Sequence, residues 1–206
     1  MRTYSEKPEQ VYYFGTCLAD MFFPEAGLAG IKVVPSGSCA GMMRYHYPKL
    51  FANDPAIHQV KNFSARIFEL SEFLVNALKI KLEDRGEPVK VTWHSSCHAM
   101  REMKVTEYSK ALIRQLKNVE LVDLENEYEC CGFGGTFAVK QPQLSGVMVN
   151  DKVDYIRQTG AAKVLSGDCG CLMNITGAMD YRSIPIRGQH LAEFIWERIN
   201  GKPSSI

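Results

Sequence analysis

Short apolar runs of β character alternate along this chain with longer stretches in which apolar positions recur every three or four residues. Val11-Tyr12-Tyr13-Phe14, Ile31-Lys32-Val33-Val34, Val89-Lys90-Val91-Thr92-Trp93 and Ala162-Lys163-Val164-Leu165 are the strand candidates, rich in β-branched and aromatic residues. From Ile57 to Ile80 the apolar residues Val60, Phe63, Ile67, Leu70, Leu74 and Leu78 repeat with a period near 3.6, which predicts one amphipathic helix. Further helices are expected at about 100–117, 141–159, 172–181 and 188–199. Strands alternating with helices predict an α/β fold with mainly parallel strands.

Each strand candidate runs into a turn that carries cysteine. The turns are Gly15-Thr16-Cys17, Pro35-Ser36-Gly37-Ser38-Cys39, His94-Ser95-Ser96-Cys97-His98 and Ser166-Gly167-Asp168-Cys169-Gly170-Cys171. The carboxyl ends of parallel strands are where α/β sheets place ligand sites. A helix start nearby favours the thiolate form of a cysteine.

The junctions also repeat. Val11 to Met21 resembles Val91 to Arg101, and Val33 to Met42 resembles Val164 to Met173, so Cys17 corresponds to Cys97 and Cys39 to Cys171. Between the paired cysteines lie 73 residues in the second half and 21 in the first. The expectation is two pseudo-symmetric lobes, the first shortened: residues 1–56, a connecting helix over 57–88, and a second lobe over 89–206.

Composition narrows the function classes. The chain has 206 residues, a formal net charge of +1 and scattered Lys and Arg, so no electrostatic footprint for nucleic acid is present. Met1 to Gln10 is polar and mixed in charge, unlike a secretory leader, and no apolar run approaches the roughly 18 residues that span a bilayer. A cytoplasmic protein is expected. In that compartment seven cysteines, an odd number, point to metal or redox chemistry over a disulfide framework.

The densest chemistry is Cys130-Cys131-Gly132-Phe133-Gly134-Gly135, with Cys97 before it and Cys169-Gly170-Cys171 after it, in the spacing C-x32-C-C-x37-C-x-C. Adjacent cysteines are too close to close a useful disulfide loop. They suit a metal centre, and the glycines let the backbone bend round it and aim N–H groups at sulfur. Cys97, Cys130, Cys131 and one or both of Cys169 and Cys171 would offer four or five thiolates, enough for zinc or an iron–sulfur cluster. Zinc sites usually draw on two short C-x2–4-C knuckles, which this spacing lacks. A thiol–disulfide switch at Cys130 and Cys131 is a third reading, and needs an accessible thiol of low pKa.

The sequence resembles the Cys-Cys-Gly cysteine-rich domain proteins, and within them the lactate utilization protein A group of iron–sulfur oxidoreductase subunits. The resemblance rests on Thr16-Cys17-Leu18-Ala19-Asp20, Phe23-Pro24-Glu25, Pro35-Ser36-Gly37-Ser38-Cys39, His94-Ser95-Ser96-Cys97, the run from Cys130 to Lys140, and Asp168 to Asn174. It implies a cysteine-ligated iron–sulfur cluster, of the [4Fe-4S] kind, with zinc as the alternative. It also implies electron transfer in the oxidation of L-lactate to pyruvate with companion subunits; related subunits serve glycolate oxidase and heterodisulfide reductase. The ligand positions carry over onto Cys97, Cys130, Cys131 and Cys171, and in the first lobe onto Cys17 and Cys39. The family pattern would place a cysteine at Asp168, so Cys169 is one residue out of place. The first Cys-Cys-Gly segment, with its helix and strand, is missing after Gly30. A lobe shortened in this way is expected to need its apolar strands covered by a segment between Gly30 and Ile31 or by a partner chain.

His94, His98 and His190 read as hydrogen-bonded packing residues more readily than as ligands. Arg101 and Lys140 could offset thiolate charge. No G-x-G-x-x-G or G-x4-G-K-[ST] loop follows a strand, so neither NAD nor ATP is indicated.

Overall fold

The computed structural model describes residues 11–13 and 31–201. Two parallel sheets form the frame. The first has the order β1-β2-β3, with β1 at Val11–Tyr13, β2 at Ile31–Val34 and β3 at Ile67–Glu69; the second has the order β5-β4-β6-β7, with β4 at Val89–Trp93, β5 at Val119–Val122, β6 at Lys163–Ser166 and β7 at Arg187–His190. Every pairing in both sheets is parallel. The α/β class and the two-sheet plan are as expected.

Aligning β1 with β4, β2 with β6 and β3 with β7 leaves β5 without a counterpart in the first sheet among the described residues. Among the described residues the shortfall therefore falls on a flanking strand, while the central pair is present.

The second sheet is covered on both faces. On one face Val91, Trp93 and Leu165 pack against Leu112 and Ile113 of α5 (Thr106–Arg114) and against Leu191, Phe194 and Ile195 of α9 (Leu191–Asn200). On the other, Val164 meets Val149, Val153 and Ile156 of α7 (Pro142–Gln158), which follows the short helix α6 (Thr136–Lys140), and Ile175 and Met179 of α8 (Cys169–Tyr181). Such alternation follows from the period-2 exposure of strand side chains.

Part of the 57–80 reading is corrected. A helix does form at Ile57–Ala65 (α3), but Ile67-Phe68-Glu69 extends as β3 and pairs in register with Lys32, Val33 and Val34. All three β3 side chains are buried. A strand covered on both faces has no alternation to reveal it, so the helical period runs through it unbroken. Glu69 then starts the short helix α4 (Leu70–Glu72), its carboxylate accepting from the N–H groups of Ser71 (2.8 Å) and Glu72 (3.2 Å). A π-helical stretch follows at Phe73–Ala77.

Two further strands, β5 and β7, add to the four expected from sequence, and residues 188–190 belong to β7 rather than to the helix expected there. The sequence of β7, Arg-Gly-Gln-His, is polar throughout. Gly188 lets it close on α8, since a Cβ there would lie 2.3 Å from Cγ2 of Thr176.

The halves share a core. Helix α1 (Gly37–Gly41) continues through a π-helical stretch at Met42–His46 into α2 (Tyr47–Leu50). Its Ala40 and Met43 pack with Val34 and Ile67 against Ala99, Met103 and Val105 of the second half. Gly37 touches Ala99 so closely that a Cβ would approach its Cβ to 2.5 Å. Val33 is buried against Phe68 and Phe73. Both faces of β2 are thus covered at Val33 and Val34 by the chain's own residues. Gly30, one side of the junction where an intervening segment is expected, lies outside the described residues.

Candidate metal centre

Three loops at the carboxyl edge of the second sheet bring the chemistry together. The first extends β4: His94 N–H donates to the Leu165 carbonyl at 2.8 Å, prolonging the ladder with β6, and the chain then turns through Ser95 and Ser96 to Cys97. The second, approaching Cys130 and Cys131, is pinned from below. Ser95 Oγ donates to Glu127 Oε1 at 2.7 Å, and Lys110 Nζ donates to Glu127 Oε2 at 2.6 Å. The third is the β6–α8 turn, where Asp168 caps α8 and Cys171 is the third residue of the helix. Asn174, one turn further along, donates through Nδ2 to the Cys131 carbonyl at 2.8 Å, tying the second loop to the third.

The cysteines form a chain of sulfur contacts. Cys97 hydrogen-bonds with Cys130, Cys130 with Cys131, and Cys131 with Cys171. Cys130 is the most acidic of the set. Hydrogen bonds from Cys131 and from Cys97, together with the Gly132 N–H at 3.4 Å from its sulfur, hold its pKa far below the ordinary thiol range. The same bonds, followed by burial, push the pKa values of Cys97 and Cys131 up. Gly132 has φ +82° and sits so close to α7 that a Cβ would lie 2.7 Å from the Ser145 carbonyl oxygen, which explains the Cys-Cys-Gly order.

Buried beside these sulfurs is His94. Its donor atom and the sulfurs of Cys131 and Cys171 all lie within 4.8 Å of one another. Burial, reinforced by the charge of Lys152, lowers its pKa to about 3, so the imidazole is neutral. Neither ring nitrogen has a hydrogen-bond partner among the described residues. Buried polar atoms are seldom left so, and an orphaned neutral imidazole against two thiols fits a metal bound between them. The donor set, nitrogen and sulfur, suits a soft or borderline metal.

The other expected residues divide. Cys169 is exposed, and Cys39 stands in the first turn of α1 beside the apolar cluster of Val34, Ala40 and Met43. Cys17 lies outside the described residues. His190 accepts the Ala192 N–H at 3.1 Å and so starts α9, while His98 is exposed. Arg101 and Lys140 are both exposed, Arg101 donating to the Tyr128 carbonyl at 3.2 Å.

Sequence reasoning passes over Lys152 and discounts His94. Lys152 is buried on α7, its Nζ donating to the Asn126 carbonyl at 2.7 Å, and burial lowers its pKa. A single lysine in a helical pattern gives no sign of this. His94 does carry one signal, its place in the same strand-end turn as Cys97.

Asp168, the residue at the expected cysteine position, binds the other half of the molecule. Its Oδ2 accepts from Ser36 Oγ (3.0 Å), Ser38 Oγ (2.7 Å) and, more distantly, Ser38 N–H (3.4 Å). Its carboxylate is occupied in joining α8 to the start of α1.

This fold and thiol cluster define a cysteine-rich domain, and a family profile of that description matches residues 91–176, which hold every cysteine of the cluster. Lactate utilization protein A from Geobacillus thermodenitrificans is 41% identical over 171 residues, covering 82% of this chain and 71% of the relative. The proteins of the same name from Shouchella clausii and Bacillus licheniformis are each 43% identical, over 170 and 169 residues, covering 81% of this chain and 70% of theirs. The chain belongs to the lactate utilization protein A family. No helix among the described residues is long and apolar enough to cross a membrane.

Proposed function

We propose that this chain is the iron–sulfur electron-transfer subunit of a cytoplasmic system that oxidises a 2-hydroxy acid, L-lactate to pyruvate, together with companion subunits. The carrying observation is the convergence of Cys97, Cys130, Cys131 and Cys171, distant in sequence, with the orphaned imidazole of His94 beside Cys131 and Cys171. These four cysteines would hold the cluster, of the [4Fe-4S] kind, and the segment 89–206 would be the lobe that carries it. When bound, the cluster supplies one-electron storage. The chain's own residues do the rest: Gly132 N–H donates to the Cys130 sulfur, Asn174 fixes the Cys131 backbone, and the apolar core beneath Cys131 and Cys171 excludes water.

Oxidation of a 2-hydroxy acid to a 2-oxo acid releases two electrons and two protons. The protons leave where the substrate is bound, which this reading assigns to a companion, and the electrons pass singly through this chain. Anaerobic iron and sulfide analysis with electron paramagnetic resonance tests the reading. Iron and sulfide in matching amounts with a signal on reduction is the expected result, and their absence overturns it.

A second reading has its own observation. Donor atoms of His94, Cys131 and Cys171 within 4.8 Å of one another are close to the donor spacing of a single tetrahedral ion with metal–ligand bonds of about 2.0–2.3 Å. Stoichiometric zinc in colourless protein would favour this scaffold role.

A further inference from the structure

Lys152 is the buried charge that the cysteine site leaves unexplained. Its side chain is about 1% exposed, and among the described residues it forms no ion pair with a carboxylate. It makes one hydrogen bond, to the Asn126 carbonyl, and its Nζ lies 5.8 Å from the centre of the Tyr155 ring. The acidic groups that act on it are Glu129, Cys131, Glu127 and Cys97, the two thiols carrying charge only when ionised. Of these, Glu127 is already engaged by Ser95 and Lys110. An ammonium taken out of water needs compensating negative charge nearby. Glu129 supplies part of it, and Cys131 and Cys97 add to it once they become thiolates.

We propose that Lys152 is a positioning residue that raises the reduction potential of the centre held by Cys97, Cys130, Cys131 and Cys171. The proposal rests on the iron–sulfur reading. Each electron accepted adds one negative charge to a site already rich in thiolate, and a fixed cation in a low-dielectric surrounding favours the reduced form. Arg101 and Lys140, the cations singled out by sequence, are exposed, so water and salt screen them. Lys152 is buried on α7, whose Ser145 and Met148 lie against Gly132 of the Cys-Cys-Gly loop and whose Val149 and Val153 pack with Cys131 and Cys171, so its charge is screened less.

A merely structural role is the competing account, since Lys152 also holds the carbonyl of Asn126, a residue with φ +49°. Lys152→Gln separates the two, because glutamine can still donate a hydrogen bond but has no charge. The experiment is a redox titration of the anaerobically loaded full chain, followed by electron paramagnetic resonance, with iron content measured on the same samples. At the wild-type midpoint the reduced-to-oxidised ratio should fall about tenfold in Lys152→Gln, equivalent to about 59 mV for one electron. Lys152→Met should shift the same way, and Lys152→Arg, which keeps the charge, should restore the wild-type ratio to within about twofold. Wild-type midpoints in both uncharged variants at full iron content would overturn the inference and leave the iron–sulfur reading standing. A wild-type chain that takes up no iron and sulfide would overturn both. Should one uncharged variant fail to fold, the midpoint of the other decides the question.

Discussion

The starts of helices α1 and α8 are built alike and do different things. Ser36 caps one and Asp168 the other, both in extended backbone, and each helix carries cysteine as its third residue, Cys39 and Cys171. Neither cap's side chain accepts an N–H of its own helix; Ser36 Oγ instead donates to Asp168, and Asp168 accepts from Ser38 at the opposite helix start. Yet Cys171 contacts Cys131 in the thiol cluster, while Cys39 sits beside an apolar one. Equal position on a helix therefore gives the two cysteines different neighbours among the described residues. The second half has the Cys130-Cys131 loop, reached through β5, to complete the site, and the first sheet has no counterpart of β5 among the described residues.

The largest effect should come from breaking one side of this pair. Cys131→Ser is expected to abolish iron and sulfide uptake, because serine is close in size but a poor soft-metal ligand. Cys39→Ser should leave uptake at the wild-type level. Metal analysis of the two variants in parallel checks the contrast, and loss of iron in both would erase the distinction between the halves.

Next in size is a pH dependence confined to the first half. Glu69 is buried at the end of β3, and burial raises its pKa from 4.5 to about 7 despite the hydrogen bonds from Ser71 and Glu72. The folded state holds this proton more tightly than the unfolded chain does. Its contribution is thus fully present below about pH 4.5 and lost as pH rises through about 7, an amount on the order of 3 kcal/mol. Chemical denaturation from pH 4.5 to 7.5 should show this decline superimposed on other titrations. Glu69→Gln should flatten it, and an unchanged slope in that variant would assign the decline elsewhere.

Asp168→Asn tests the cross-capping directly. It removes the charge that Ser36 and Ser38 share but keeps an oxygen acceptor, so a loss of about 1–3 kcal/mol in unfolding free energy is expected, with metal content retained. Loss of metal at unchanged stability would instead make Asp168 a ligand. The smallest effect is expected at Cys169, the exposed cysteine one residue out of the family's spacing. Cys169→Ser should match wild type in both iron content and denaturation midpoint.

Much of this can be read in one dimension. Strand runs ending in cysteine turns locate β1, β2, β4 and β6, and the spacing directs attention to Cys97, Cys130, Cys131 and one or both of Cys169 and Cys171. Such features survive in sequence because they depend on local chemistry: β-branched runs, glycine at positive φ after a cysteine pair, a helix start after β2 and β6. What stays hidden depends on neighbours. Ile67-Phe68-Glu69 becomes a strand because β2 offers a free edge and both faces are covered, which outweighs a helical period. His94 acquires its character from burial beside Cys131 and Cys171, Lys152 from burial on α7, and Asp168 from serines 130 and 132 residues away. Burial and electrostatic coupling act through space, so only the packed chain decides which of several ordinary residues carries them.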